Sequence, residues 1–181
     1  MHNTPEGRTL FFMEDVEEKS VRELLVKMVA LYEKGPSEWI TLYVCSPGGK
    51  VGAAYFFYEY VTEVLKPNLQ TVVLGYASSM SPIIFLAGSC RIIGSYASLF
   101  FHQIGRAYEK PVRFVKDELR MMASDTERDE EIYAEIVERR TGGKMSKKEV
   151  LKLIASDNRI LPEEALKMGF AHEILEKYTG L

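Results

Sequence analysis

The sequence predicts an α/β fold with a mainly parallel sheet, because short β-rich runs alternate with segments of helical spacing. The runs WITLYVCS (39–46) and LQTVVLGYA (69–77) are apolar almost throughout, which is typical of buried strands. Residues 52–65, between them, repeat apolar side chains at helical intervals. A length of 181 residues suits one core, so we expect residues 1–181 to form a single domain.

The flanking elements continue this alternation. TLFFM (9–13) predicts a first strand, and residues 16–33 have helical spacing that ends at the breakers of KGPSE. A short helix is expected at 82–87, followed by strands at SCRIIG (89–94) and SLFFHQI (98–104).

Residues 111–140 combine dense charge with a thin apolar stripe and predict one long helix. Because the stripe is too narrow to bury fully in its own core, we expect the helix to dock on a partner. The stripe consists of Val115, Leu119, Met122, Ile132, Ile136 and Val137. Beyond it, Ser146 and Glu149 fit a capping box, Pro162 lies near the start of a last short helix, and AHEIL (171–175) predicts a closing strand.

Composition excludes several classes of protein. The formal net charge of −3 provides no basic surface for nucleic acid, and no apolar run approaches the roughly 20 residues of a membrane helix. The N-terminal residues lack the pattern of a signal peptide, so a cytoplasmic location is expected. Cys45 and Cys90 form no metal-ligand spacing with each other or with a histidine, so no zinc site is expected.

The stretch GYASSMSP (75–82) places three serines between a predicted strand and a predicted helix. Active sites of open α/β sheets gather at such junctions, where free N–H groups can hold negative charge. Each serine also has a structural explanation, and Ser81, directly before Pro82, is expected to be the helix N-cap. A nucleophilic serine needs a base, which His102 at the end of its strand could provide.

Asp157 stands out among the acids because it lies in a predicted loop between two helices, where it could face a histidine. A helix-terminating turn explains it equally well. SPGG (46–49) follows a strand, and its two glycines could let the backbone approach a ligand closely, or could form a plain turn. From the residues alone, both alternatives stay open.

Four motifs together resemble the proteolytic subunit of the Clp protease family over roughly residues 8–175. They are LYVCSPGGKV (42–51), GYASSMSP (75–82), LFFHQIG (99–105) and SDNRILPEEALKMGFAHEIL (156–175). The resemblance implies a ClpP/crotonase-type ββα superhelix with a protruding handle helix at about 111–140. It also implies a serine endopeptidase that acts on peptides or unfolded proteins and assembles into a heptameric ring or a double ring.

The resemblance further implies a role for each matching position. Ser79 matches the nucleophile, His102 the general base and Asp157 the acid that orients it. Gly49 and Met80 match the backbone donors of the oxyanion hole, and Lys50 and Val51 match the edge that binds the substrate.

The chain also departs from the family pattern. Few residues precede the first strand, Ser156 replaces the family's arginine before the aspartate, and the strand after His102 has one glycine. An AAA+ unfoldase partner and the number of rings therefore stay open. Two alternatives to a peptidase are a catalytically silent assembly subunit and a crotonase-fold acyl-CoA enzyme, which would not need the three side chains Ser79, His102 and Asp157.

Overall fold

A computed structural model describes residues 2–105 and 113–175, and these form a mixed α/β structure around one sheet. The strands are β1 (Thr9–Phe12), β2 (Ile40–Ser46), β3 (Leu69–Ser78), β4 (Cys90–Gly94), β5 (Ser98–Phe101), β6 (Asn158–Ile160) and β7 (Glu173–Leu175). The helices are α1 (Glu18–Lys34), α2 (Val51–Glu59, continued by a π-helical segment Tyr60–Leu65), α3 (Ser81–Leu86), α4 (Lys116–Arg140), α5 (Lys147–Ile154) and α6 (Pro162–Lys167).

The sheet is mainly parallel, as predicted. Its strands follow the order β1-β2-β3-β4-β7, and all of these neighbours pair in parallel. Strand β2 and the first half of β3, residues 69–73, are buried at nearly every position, which is why their sequences are so apolar. The predicted helices at 16–33, 52–65 and 82–87 are confirmed with small shifts of their ends.

Strand β3 changes partner along its length. Its first half, Gln70–Val73, pairs with β4, whereas Tyr76–Ser78 pairs in parallel with β5. The carboxyl ends of β2, β3 and β5 therefore meet at one edge of the sheet. The glycine turn, the serine turn and His102 each follow one of these three strands, so the topology brings them together.

Two sequence-based expectations are wrong near this edge. Residues 158–160 are not a loop between helices but form β6, which pairs antiparallel with β5. Ser81 is not the N-cap of α3: the cap position is Met80, and Ser81 is the first helical residue. The hydroxyl of Ser81 is buried and has no hydrogen-bond partner among the described residues, and nothing in the structure explains why.

Helix α4 begins at Lys116, so the prediction of a helix over 111–140 is wrong for residues 113–115, which are not helical, while 111 and 112 lie outside the described part of the chain. Its C-terminal half packs against α3 and α5, with Ile136 and Val137 buried in the protein's own core. The expectation that the whole stripe docks on a partner is therefore wrong for these residues. The N-terminal half does expose apolar side chains, including Leu119 and Met121. No helix in the described ranges is both long and apolar enough to span a membrane.

A buried arginine joins the ends of three helices. Arg91 on β4 is 3% exposed and donates hydrogen bonds to the carbonyls of Gly88, Arg140, Gly169 and Phe170, which follow or end α3, α4 and α6. Burial lowers the pKa of its guanidinium to about 10. Because helix carboxyl ends carry partial negative charge, this arrangement compensates a buried cation with carbonyl dipoles.

Candidate active site

Ser79 lies in a tight turn between β3 and α3. Its φ angle is 57°, in the left-handed region that residues other than glycine rarely adopt. The Ser79 N–H donates to the Phe100 carbonyl of β5 at 2.9 Å, which fixes the turn against the neighbouring strand. Backbone strain of this kind is concentrated at functional sites, where the surrounding structure holds the strained residue in place.

The glycine turn after β2 packs directly on the Ser79 turn. A Cβ atom placed on Gly48, whose φ is +96°, would lie 2.5 Å from the Ser78 carbonyl oxygen and 2.6 Å from the Ser79 Cβ atom. Only glycine allows this approach. The Ser46 hydroxyl accepts from the Gly48 N–H at 3.2 Å and anchors the turn from the other side.

Gly49 forms a parallel bridge with Val16, in which Val16 bonds to the residues on either side of it. The Val16 N–H donates to the Gly48 carbonyl, and the Lys50 N–H donates to the Val16 carbonyl, both at 2.7 Å. This pattern leaves the Gly49 N–H directed away from Val16 and without an acceptor among the described residues. Among the residues that the structure describes, the Met80 N–H also has no acceptor.

A cavity of about 320 Å³ lies where these turns meet. Its walls include Gly49, Val51, Ser79, Met80 and His102. Two unpaired backbone N–H groups beside a serine and a histidine can stabilise an oxyanion formed by attack on a carbonyl. Of the predicted site residues, the structure therefore brings together the serine, the histidine, both predicted oxyanion donors and Val51.

His102 directly follows β5 and is half-buried. Its Nδ1 atom lies 2.7 Å from the carbonyl oxygen of Gln103, so in this conformation Nδ1 donates to the backbone. His2 and His172 are elsewhere: His2 stacks on Trp39 at 3.7 Å, and Nδ1 of His172 accepts from the Arg91 N–H. His102 is therefore the histidine that can act as a base for Ser79.

Asp157 has a φ of 47° and immediately precedes β6. Asn158 pairs with Phe101 at the end of the antiparallel ladder, so Asp157 and His102 are the next residues beyond it on the two segments. Its side chain is exposed. Within the described ranges, the structure has neither a Ser79–His102 nor a His102–Asp157 hydrogen bond, so the three residues form no connected hydrogen-bond network.

The predicted substrate-binding edge consists of Lys50 and Val51, and groups of the protein itself already bind Lys50. Lys50 uses its N–H to bond Val16 and its ammonium to contact Glu17 at 2.7 Å and Glu18 at 2.8 Å. These carboxylates raise the pKa of the exposed Lys50 side chain. Val51 is the first residue of α2 and reaches the cavity.

Sequence reasoning missed Tyr133 of α4, whose hydroxyl donates to the Ser79 carbonyl at 3.1 Å. An aromatic residue on the apolar face of a helix is usually a packing residue of the core, so nothing in the sequence indicates a functional role for Tyr133. In the described part of the chain, no group of histidine, cysteine and acidic side chains is arranged to hold a metal ion.

Two comparisons with known proteins bear on this site. The family model described as Clp protease matches residues 2–178. The chain is also similar to the ATP-dependent Clp protease proteolytic subunit 1 of Bifidobacterium longum (strain NCC 2705), with 27% identity over 175 residues. This alignment covers 94% of the chain and 72% of that protein.

Proposed function

Since the chain belongs to the Clp protease family, a family of peptide-hydrolysing enzymes, we propose that it is a serine endopeptidase acting on peptides and unfolded proteins. The observation that carries this proposal is the cavity in which Ser79 and His102 lie beside the unpaired N–H groups of Gly49 and Met80. A serine needs an adjacent base to become a nucleophile, and a tetrahedral intermediate needs donors for its oxyanion. The cavity contains a candidate base, His102, and two candidate oxyanion donors, the N–H groups of Gly49 and Met80.

The proposed reaction is acyl transfer through a covalent intermediate. Ser79 Oγ attacks the peptide carbonyl carbon while Nε2 of His102 removes the hydroxyl proton. The carbonyl oxygen becomes an oxyanion that accepts hydrogen bonds from the N–H groups of Gly49 and Met80. His102 then gives its proton to the leaving amine, and a water molecule activated by His102 hydrolyses the acyl-enzyme. The side chains in this scheme need no metal or organic cofactor.

Asp157 is proposed to orient His102 by accepting a hydrogen bond from its Nδ1–H group. The ladder between β5 and β6 supports this role, because its last pair consists of Phe101, which precedes His102, and Asn158, which follows Asp157. To make this contact the imidazole has to release the Gln103 carbonyl, which it holds at 2.7 Å. We propose that a rotation of the His102 side chain makes this exchange.

For the substrate, we propose an extended peptide that lies along residues 49–51. Val51 lines the cavity and would make the first side-chain contact. A peptide that pairs with Lys50 has to displace the Val16 carbonyl from the Lys50 N–H. Lys50 and Val51 thus keep the roles that the family resemblance implies, with an exchange of partners at Lys50.

Clp proteases form oligomeric rings, and we propose a homo-oligomer, heptameric in one ring or two, for this chain. Support comes from the apolar side chains exposed on the N-terminal half of α4, with Leu119 53% exposed and Met121 62% exposed. Large exposed apolar patches mark interaction surfaces. An AAA+ unfoldase partner stays open, and the cytoplasmic location stays an expectation from the sequence.

A second candidate is a catalytically silent assembly subunit. The observation that favours it is the engagement of the His102 Nδ1 atom by Gln103 instead of Asp157. If that arrangement persists in the assembled protein, Ser79 has a poorly oriented base.

Hydrolysis of an internally quenched fluorogenic peptide, and of an unfolded protein, by the purified chain distinguishes the two candidates. We expect turnover that Ser79→Ala abolishes and Ser78→Ala retains, since Ser78 is the adjacent half-buried hydroxyl in the same turn. Turnover that survives Ser79→Ala would exclude this site as its origin. An inert wild-type oligomer would favour the silent subunit.

A further inference from the structure

We propose that Tyr133 is a positioning residue that orients the Met80 N–H toward the cavity by holding the carbonyl of the same peptide group. This inference rests on the proposed function, because an oxyanion donor matters only if Ser79 forms an acyl-enzyme. The hydroxyl of Tyr133 lies 3.1 Å from the Ser79 carbonyl oxygen, on an α4 residue that is 54 positions further along the chain.

The geometry of the peptide bond carries the argument. A trans peptide group is planar, and its C=O and N–H bonds point in opposite directions. The carbonyl of Ser79 and the N–H of Met80 belong to one such group. When Tyr133 holds the carbonyl toward the interior, the N–H is directed the opposite way, and Met80 lines the cavity on that side.

The turn does not hold this peptide group by itself. The backbone bonds around it involve the Ser79 N–H, which donates to Phe100, and the Met80 carbonyl, which accepts from Ile83. Both belong to the adjacent peptide groups, and Tyr133 is the donor to the Ser79 carbonyl among the described residues. Since Ser79 already has a φ of 57°, a rotation of the next peptide group is the accessible way to relax the turn.

Tyr133 is itself rigidly placed. The side chain is 3% exposed, and its ring meets Phe101, the residue before His102, edge to face at 6.1 Å. Burial raises the pKa of its hydroxyl well above the ordinary value, so the group stays protonated and donates at any pH used for assay. One helical turn earlier, Glu130 accepts from the Ile104 N–H at 3.3 Å. Helix α4 therefore holds both the serine turn and the segment that follows the histidine.

The test compares Tyr133→Phe with the wild-type oligomer in peptide hydrolysis. This change removes the hydroxyl and keeps the ring packing against Phe101. We expect kcat to fall about 10- to 100-fold, because losing an oxyanion donor outright costs about 10²–10³ and a loosened donor costs less. KM should stay within twofold, since the interaction forms in the transition state.

The matched control is Tyr58→Phe. Tyr58 is a buried tyrosine whose hydroxyl accepts from the Arg139 guanidinium of α4 at 2.8 Å, and it does not line the cavity. Its rate should match wild type. Replacing Tyr133 by 4-aminophenylalanine keeps a donor at the same ring position and should restore most of the lost rate. This variant also tests the positioning role if the phenylalanine variant folds poorly.

A Tyr133→Phe variant with unchanged kcat, or one that raises KM alone, would overturn the inference. If the wild-type protein hydrolyses no peptide, the proposed function fails separately, and the crystal structure of Tyr133→Phe then decides about Tyr133. A reoriented peptide group between Ser79 and Met80 would support the positioning role. The same orientation as in wild type would refute it.

Discussion

The Nδ1 atom of His102 is hydrogen-bonded to the carbonyl oxygen of Gln103 at 2.7 Å. In a serine–histidine–aspartate triad this nitrogen bonds to the carboxylate, and that bond selects the tautomer with a free Nε2. His102 and Asp157 each lie one residue beyond the last pair of the β5–β6 ladder. The proposed activity therefore requires the imidazole to exchange the Gln103 carbonyl for the Asp157 carboxylate as its acceptor.

Asp157→Asn tests the proposed acceptor. We expect kcat for peptide hydrolysis to fall about 10³- to 10⁴-fold, because an amide favours the wrong histidine tautomer. Stability should change by less than about 0.5 kcal/mol, since the side chain is exposed and asparagine tolerates the left-handed φ of 47°. The measurement is steady-state kinetics beside thermal unfolding.

The control for this experiment is Asp125→Asn, which neutralises an exposed acid on α4 far from the cavity walls. Its rate should equal wild type. Equal rates for Asp157→Asn and wild type would show that another group orients His102.

Gly48→Ala tests the packing of the glycine turn on the serine turn. The added Cβ would lie 2.5 Å from the Ser78 carbonyl oxygen, at a φ of +96°. The backbone conformation alone should cost about 1–3 kcal/mol of unfolding free energy. Displacement of Ser79 should also lower kcat about 100-fold.

Chemical denaturation and peptide kinetics measure the two effects of Gly48→Ala. Gly52→Ala is the control: a Cβ at this helical glycine meets no atom within 4 Å, so alanine should stabilise the chain by about 0.5–1 kcal/mol. If Gly48→Ala behaves like Gly52→Ala, the close approach is not required.

Leu119→Asp tests the assembly surface on α4. The wild-type protein should have a mass in light scattering that is several times the 20.6 kDa of one chain. A carboxylate at the exposed apolar position 119 should reduce this mass, because burying an unpaired charge in an interface is unfavourable. Ser124→Asp adds the same charge at an exposed polar position of α4 and should leave the mass unchanged. A wild-type monomer would contradict the ring proposal.

His172 should make stability fall in mild acid. Burial, together with Arg91, Arg140 and Lys144, lowers the pKa of His172 below its ordinary value of 6.5. Below that pH the unfolded chain binds a proton at His172 before the folded chain does, so the unfolding free energy falls toward the lower, folded-state pKa. Above pH 6.5 the residue is neutral in both states and contributes no slope.

The measurement for His172 is urea denaturation between pH 8 and pH 5. His172→Asn keeps an acceptor for the Arg91 N–H and should remove this part of the pH dependence. Wild type and variant should therefore differ by a constant amount near pH 8 and converge or cross as the pH falls. Parallel curves over the whole range would assign the slope to other groups.

The sheet and its helices could be predicted from sequence because buried strands have continuous apolar runs, as β2 and the first half of β3 do. Strand β6 could not, since its three residues NRI include two polar side chains and its pairing with β5 is long-range. The position of Ser79 after a strand could be predicted from the sequence. The position of Asp157 relative to His102 could not, because it depends on β6, a strand that the sequence did not predict.

Helix α4 illustrates the same limit. Its apolar stripe predicted a docking surface, but sequence periodicity does not say which part meets the protein's own core, and Ile136 and Val137 are buried there. The hydroxyl of Tyr133 and the carbonyl of Ser79 meet only because α4 crosses the serine turn. Contacts of this kind depend on tertiary packing and leave no local pattern.

The central claim is that Ser79 is an activated nucleophile. Labelling of the purified oligomer with a fluorophosphonate, followed by peptide mass mapping, tests it most directly. We expect one phosphonylated residue, Ser79, with no label in Ser79→Ala and full label in Ser78→Ala. A folded, oligomeric wild-type protein that takes no label, or takes it at another residue, would contradict the claim.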